Sequence, residues 1–365
     1  MSNISSPRGM NVASDSVCRH FGTCGGCTYQ GMPADAYRAL KRQIVVDALE
    51  RDGLAGMDVA PMVETPPASR RRATFKAEKR NGETLIGFNA AASHAIVDMQ
   101  ECRVLTPAMF RLVAGLRDMM AEWLQEGGKA ELYVLQADNG FDIAIAGVRA
   151  GEAATVWIAR WTEKLRLIRV TAGDQILVEL APPAVSIGLA TVNLPPSAFL
   201  QPTRAGEERL QKLVLKIVTR RKNVADLFGG VGTFALRLAE IARVHAVDAD
   251  AAALKALTDA ARTAQKLKPV TTLKRDLFRQ PLGGVELKSF DAVVLDPPRA
   301  GAARQVDELA RSKVPLVCYV SCDPASFARD ARRLVAGGYR LGPIIPVDQF
   351  VWASHIELVA SFSRD

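Results

Sequence analysis

The chain has 365 residues, enough for two to three domains with full cores. Its composition, 48% hydrophobic and 24% charged, is that of a soluble globular protein, and no apolar run approaches the roughly 18 residues of a membrane span. The formal net charge of +8 suits a polyanionic partner such as nucleic acid, although a generically basic enzyme carries the same excess.

The N-terminal stretch MSNISSPRGM has no apolar h-region, so a cytoplasmic protein without a secretory signal is expected. Residues 1–17 read as a loose polar tail, and residues 18–27, CRHFGTCGGC, as a compact Cys/Gly knot. A helix is predicted from about Asp35 to Arg51, with Leu40, Ile44, Val45, Ala48 and Leu49 apolar. Pro66-Pro67 marks a break. Short strands follow over 70–103, namely RATFKAEKR, TLIGF and AIVDM, with Asn81-Gly82 as a hairpin signal. A helix over about Pro107 to Gln125 precedes the strands ELYVLQAD and FDIAIAGV, which Asn139-Gly140 separates. Further strand-like pieces run to Val192, so the middle of the chain reads as an α+β unit rich in antiparallel pairing.

From about residue 205 the pattern changes to alternating strands and helices. NVADLF, RVHAVDA, VTTLKRD, FDAVVLDPP, VPLVCYVSC and HIELVASFS read as strands. GTFALRLAEIA, DAAALKALTDAARTAQ and PASFARDARRLVAGG read as helices. Such alternation predicts an α/β, doubly wound, mostly parallel sheet. The turn Asp226-Leu227-Phe228-Gly229-Gly230-Val231-Gly232-Thr233 lies between a strand and a helix, where glycines let the backbone approach a ligand. Asp248 ends the next strand, where a carboxylate can accept from ribose hydroxyls. The strict G-x-G-x-x-G of dinucleotide sites is absent. Asp296-Pro297-Pro298-Arg299 ends a further strand, its prolines fixing the turn.

Cys322 ends the strand VPLVCYVSC just before a helix that Asp323 caps and Pro324 opens. The positive end of that helix favours a thiolate. A lone cysteine is often structural, but strand end, helix start and a shared sheet edge with Asp296 coincide here. Cys318, four residues earlier, reads as a buried small hydrophobe. Glu357, in Ser354-His355-Ile356-Glu357, is a candidate base, with His355 as its competitor.

These segments together resemble the RNA uridine-C5 methyltransferase family over about residues 18–365. The motifs that carry the resemblance are, in order, Phe199-Leu200-Gln201-Pro202-Thr203, the Gly229–Thr233 turn, Asp296-Pro297-Pro298-Arg299, Ser321-Cys322-Asp323-Pro324 and Asp348…His355-Ile356-Glu357. The resemblance implies a Rossmann-like S-adenosylmethionine methyltransferase domain over 196–365. It implies Cys322 as a nucleophile adding to C6 of uracil and Glu357 as the acceptor of the C5 proton. Gln201, Phe228, Gly230, Gly232, Thr233, Asp248, Asp276 and Asp296 are then the cofactor-binding set, and Phe199 packs near a flipped base. Two positions depart from the family pattern. F-x-Q-x-N ends here in Thr203, which lacks an amide's set of hydrogen bonds, and S-C-N-P reads Ser321-Cys322-Asp323-Pro324, whose Asp opposes a thiolate.

Cys18-x5-Cys24-x2-Cys27 with the distant Cys102 suits an iron–sulfur cluster or structural zinc. The arrangement resembles the ribosomal RNA branch of the family, which implies a [4Fe-4S] cluster with a structural role and 23S ribosomal RNA as the partner. The expected organisation is an N-terminal cluster segment and helix (1–60), a central antiparallel α+β domain that supplies Cys102 and contacts RNA (61–195), and the catalytic domain (196–365). Three basic groups are candidates for RNA contact: Arg70-Arg71-Arg72 with Lys76, Lys79 and Arg80 around Phe75; Arg160, Lys164, Arg166 and Arg169 beside Trp157 and Trp161; and Arg220-Arg221-Lys222. No TRAM-type OB-fold is expected before Cys18, so affinity for RNA is expected from the remaining surface or a helper. A monomer is expected. The alternatives are a transfer RNA substrate, cytosine-C5 methylation, and a non-catalytic iron–sulfur RNA-binding protein.

Overall fold

Strands apolar at every position belong inside a sheet covered on both faces. The computed structural model, which describes residues 17–148 and 152–364, buries Ala292–Leu295 and Leu316–Ser321 in this way at every position. Five parallel strands run in the spatial order Val270–Lys274, Arg243–Asp248, Asn223–Leu227, Ala292–Leu295 and Leu316–Ser321. Glu357–Ser363 follows antiparallel, then Ile345–Asp348. Val63–Glu64, from far upstream, adds in parallel to that last strand. Alternate residues of the sheet feed two apolar layers. One packs against the helices Arg204–Val218 and Ala251–Thr263, the other against Ala34–Arg51, Ala303–Arg311 and Pro324–Ala336. The expected doubly wound sheet is therefore present, with an antiparallel edge. The polar tail expected over residues 1–17 lies, up to residue 16, outside the described residues.

A second sheet of seven strands forms the middle of the chain. The Asn81-Gly82 turn joins Arg72–Arg80 to Glu83–Asn89, both turn residues taking the positive φ that a type I′ turn needs. The next hairpin turns one residue earlier than the sequence suggests. Ala137 N–H donates to Gly140 C=O at 2.9 Å, so Asp138-Asn139 are the turn residues. Phe141–Ala146 and Leu167–Ala172 are parallel neighbours, and parallel neighbours require a crossover. The crossover is the helix Glu152–Leu165, where the sequence suggests strand. Its Val, Ile, Thr and Trp residues are good strand formers, and burial of Ile158, Trp161 and Thr162 on one helix face overrides that preference. The hairpin Ala184–Ile187/Ala190–Asn193 precedes residue 196 yet packs Val185, Ile187, Ala190 and Val192 into the catalytic core.

Two arginines of the central sheet pin the segment that leads into the catalytic domain. Arg169, fully buried, holds both Asp142 carboxyl oxygens (3.0 and 2.6 Å) and donates to the carbonyls of Leu194 (2.8 Å) and Pro195 (3.0 Å). Arg71 pairs with buried Glu207 at 2.7 Å and donates to Gln201 C=O at 3.2 Å. Both residues belong to the basic groups considered above for RNA, and burial withdraws them from that role.

The N-terminal helix performs a similar task for the loop before Glu357. Lys41, with no exposed surface, meets Asp348 Oδ1 at 2.8 Å and donates to His355 C=O at 2.5 Å. Tyr37 OH donates to Asp348 Oδ2 at 2.5 Å and accepts from Trp352 N–H at 2.8 Å. No helix among the described residues is long and apolar enough to cross a membrane. Removing one partner of a buried ion pair leaves the other charge uncompensated. Lys41→Met is expected to lower stability by about 3 kcal/mol in urea unfolding, whereas an exposed pair such as Lys255–Asp259 should cost no more than about 0.5 kcal/mol.

Candidate active site

Side chains at the C-terminal ends of parallel strands face a common crevice. Here the crevice is a cavity of about 580 Å³. Its wall takes Phe228 and Gly230 from the turn after the first catalytic strand, Asp248 and Asp276 from the ends of the next two, Asp296 after the fourth and Cys322 after the fifth. Glu357 joins them because the last strand is antiparallel. Leu358 is opposite Ser321, so the start of that strand lies beside the end of the fifth.

The glycine turn is tightly hooked. The amides of Phe228 and Gly229 both donate to Val247 C=O, and Phe228 has a φ of +63°, a conformation that a bulky residue seldom holds without outside support. Gly230 N–H donates to Asp248 Oδ2 at 2.9 Å, and Asp250 N–H donates to the other oxygen at 2.8 Å. Two amide donors fix this carboxylate and leave lone pairs free for further donors. The rings of Phe228 and Phe278, 5.4 Å apart, line the same side of the cavity.

Not every residue of the expected set reaches the cavity. Gly232 packs against the Ala251–Thr263 helix, where a Cβ would meet Leu257 Cδ1 at 2.5 Å. Thr233 is buried beside it, its carbonyl accepting from Gln211 Nε2 at 3.0 Å. Both serve the packing of the turn and are absent from the cavity wall. Asp276 is on the wall and accepts from Phe278 N–H at 2.9 Å.

Four side chains form a continuous polar chain at the inner end of the cavity. Gln201 Nε2 donates to Asp296 Oδ2 at 3.3 Å. Gln349 Nε2 donates to Gln201 Oε1 at 2.7 Å and to Glu357 Oε1 at 2.8 Å. Glu357 Oε2 has no partner. Burial pushes the Glu357 carboxyl up to about 7, against the Gln349 hydrogen bond. Asp296 is raised well above the usual carboxylate range by burial, with Glu357 and Asp226 adding to it. Asp226 is itself wholly buried beneath the glycine turn and pushed up to about 7 by desolvation, with only the Ala235 amide opposing among backbone groups. The sequence displays Asp226 at the head of the turn, but nothing in it reveals this burial.

The expectation of a Cys322 thiolate does not hold. Burial, followed by the charges of Glu357 and Asp296, pushes the thiol up to about 12, and among its neighbours only Arg299 acts in the opposite direction. These effects outweigh the helix end. Asp323 caps that helix through Ser326 N–H at 2.8 Å, and Thr203 caps the Arg204–Val218 helix through Gly206 N–H at 2.9 Å. Both departures from the family pattern are thus N-caps, where Asn, Asp and Thr are interchangeable within a few tenths of a kcal/mol or so. His355 is solvent-accessible but partly enclosed, and its Nδ1 accepts from Arg299 Nη2 at 2.9 Å. Burial and the Arg299 charge lower its pKa, and a lone pair spent on arginine does not serve as a base. Cys318 is fully buried, as expected.

At the rim, Arg72 lies 4.3 Å from the ring centroid of Phe199, which is 58% exposed. Elsewhere Cys18, Cys24, Cys27 and Cys102 line one separate cavity of about 360 Å³ with Gln30 and Arg70. Burial pushes the Cys27 thiol up to about 12, with the other three thiols adding to it. Among the described residues no group of three or more His, Cys, Asp or Glu is arranged to hold a metal ion. The segment after Cys27 is tied to the catalytic domain, Thr28 and Tyr29 amides donating to Trp352 C=O at 2.7 and 3.0 Å.

Comparison with known proteins agrees with this geometry. Residues 191–364 match the family model described as tRNA (Uracil-5-)-methyltransferase. A Rhizobium meliloti protein named as an RNA methyltransferase is 44% identical over 354 residues, 95% of this chain and 85% of that protein. The 23S rRNA (uracil(1939)-C(5))-methyltransferase of Chromohalobacter salexigens is 31% identical over 95% of this chain and 76% of its own length. The crystal structure of Pyrococcus abyssi tRNA (uracil-54, C5)-methyltransferase with S-adenosyl-L-homocysteine shares the fold, with a TM-score of 0.73 at 23% identity over 93% of this chain and 84% of that one.

A thiol held protonated reacts slowly with alkylating agents near neutrality. In the protein without ligands, iodoacetamide labelling of Cys322, followed by peptide mass spectrometry, should stay slow at pH 8 and keep rising beyond pH 10. Labelling that plateaus by pH 8 would contradict the burial argument.

Proposed function

We infer that this chain, which belongs to the RNA (uracil-C5-)-methyltransferase family, methylates C5 of a uridine in RNA through a transient bond between Cys322 and C6. The observation that carries the reading is that Cys322 and Glu357 line one cavity, beside the glycine turn, and that Glu357 keeps one oxygen, Oε2, without a partner.

The residues fit S-adenosylmethionine. The Asp248 carboxylate suits ribose hydroxyls, the Phe228 and Phe278 rings offer apolar faces, and the Asp276 carboxyl suits a cationic ligand. When bound, it supplies an electrophilic methyl group. Uracil C5 is too weak a nucleophile to take that methyl unaided; the Cys322 thiol gives up its proton to solvent as sulfur adds at C6, which turns C5 into an enolate carbon. Glu357 Oε1 is tethered by Gln349, which leaves Oε2 to accept the C5 proton. The C5–H pair then forms the C5–C6 double bond, and the C6–S pair leaves with Cys322. A carboxylic acid of pKa about 7 returns its proton to a thiolate whose thiol has a pKa of about 12, which resets both groups.

Large-subunit ribosomal RNA is the substrate we favour over transfer RNA. The relative named for 23S ribosomal RNA aligns over nearly the whole chain. The exposed Phe199 with Arg72 above it offers a stacking face for a base brought out of folded RNA. Cys18, Cys24, Cys27 and Cys102 would hold a [4Fe-4S] cluster. The four cysteines line one cavity, and a three-plus-one set of thiolates suits such a cluster. Its role would be structural, joining the N-terminal segment to the central domain and, through Trp352, to the loop before Glu357.

Cys322→Ala should abolish 5-methyluridine formation and the denaturation-resistant adduct with 5-fluorouridine RNA. Mass-spectrometric mapping of ribosomal and transfer RNA from cells with and without the gene should locate the product in 23S ribosomal RNA, and 5-methylcytidine instead would refute the reading. Because Glu357 must be ionised to accept a proton, the single-turnover rate should fall as pH drops through about 7. Protein assembled anaerobically with iron and sulfide should carry about four iron atoms per chain, and Cys102→Ala should lose that iron even in assays that measure no methylation.

A further inference from the structure

A search beyond Cys322 and Glu357 leads to Gln349, a residue no sequence motif singled out. We propose that Gln349 is a positioning residue that holds Glu357 by one oxygen so that the other is free to take the C5 proton. The inference rests on the uridine-C5 reading given above.

Gln349 is buried, and its single Nε2 supplies two hydrogen bonds, to Glu357 Oε1 at 2.8 Å and to Gln201 Oε1 at 2.7 Å. Its own Oε1 is buried and without a partner. Turning the amide over would set Oε1 against two acceptors, so the surroundings fix the orientation. Gly206 makes room for the side chain. A Cβ there would approach Gln349 Cβ to 2.6 Å and Oε1 to 2.8 Å. Thr65 Oγ1 donates to the carbonyl of the preceding residue, Asp348, at 2.5 Å, and Lys41 holds the Asp348 carboxylate. The amide therefore sits on a braced backbone, in a space that lacks one methyl group.

The arrangement suits one step in particular. During release of the product, the C5 proton passes to Glu357 Oε2, the C5–H electron pair becomes the C5–C6 double bond, and the C6–S pair departs with Cys322. Gln349 donates to Oε1 throughout, which favours the ionised carboxylate before the transfer and keeps Oε2 aimed afterwards. The ionisable groups that bear on Glu357 across the cavity are Asp296, Cys322 and, at the rim, Arg299 and His355. The neutral Gln349 amide is the one hydrogen bond lowering the Glu357 pKa against its burial.

The test uses RNA carrying tritium at uridine C5, under single turnover with the full-length protein. Wild type should release tritium in step with methyl transfer. In Gln349→Met, tritium release should lag methyl transfer by about 10-fold, methylated RNA should accumulate on Cys322, and the low-pH limb should move upward. The KM for RNA should stay within about twofold. Gly206→Ala, whose Cβ would crowd Gln349 Cβ, its Oε1 and the Thr203 cap, should lag in the same direction and serves if Gln349→Met does not fold. A merely structural role would slow both steps equally and leave the limb in place. Tritium release that keeps pace with methyl transfer in either folded variant overturns this role while leaving the function intact. Wild type that methylates no uridine overturns both.

Discussion

Everything at this site follows from shutting carboxyls and a thiol away from water. Desolvation raises Glu357 and Asp226 to about 7, raises Asp296 well above the usual carboxylate range, and pushes the Cys322 thiol up to about 12. At the surface the same groups would be three carboxylates of ordinary acidity and an unremarkable cysteine. Inside, the Glu357 carboxyl is pushed up toward neutrality and the Cys322 thiol well above its ordinary value.

Burial on this scale needs bracing, and much of it comes from outside the catalytic sheet. Arg71 and Arg169 fasten the segment carrying Phe199 and Gln201 to the central domain. Lys41 and Tyr37 fasten the loop before Glu357 to the N-terminal helix. Thr28 and Tyr29 add a tie from the cysteine segment to Trp352, whose φ is +61°. The parts of the chain that read as RNA-binding or cluster-binding therefore also hold the catalytic wall in place. Buried ion pairs of this kind contribute little net stability, and the uncompensated charge left when one partner is lost makes each costly to break.

What the sequence made legible was set by local chemistry. Asn81-Gly82 must take positive φ, Asp323 before Pro324 must cap a helix, and the apolar runs ending in Asp296 and Cys322 must be buried strands. The family resemblance drawn from five ordered motifs agrees with the comparisons. Features that depend on distant partners were not legible. Arg71 and Arg169 look like RNA ligands until Glu207 and Asp142 are seen beside them. The helix Glu152–Leu165 is written in strand-forming residues, and only a parallel pair of strands reveals the crossover. Gly232 and Thr233 share a motif with Gly230 but turn into the core. The state of Cys322 depends on Glu357, thirty-five residues later, and Gln349 carries no local signal at all.

The ionisation of Glu357 in the intact protein is the most direct measure of this account. Difference infrared spectroscopy of wild type against Glu357→Gln should show a protonated carboxyl band at low pH that disappears with a midpoint of about 7. A midpoint near the ordinary glutamate value of about 4.3 would mean that water reaches the carboxyl, and the proposed division of labour between Cys322 and Glu357 would fall with it.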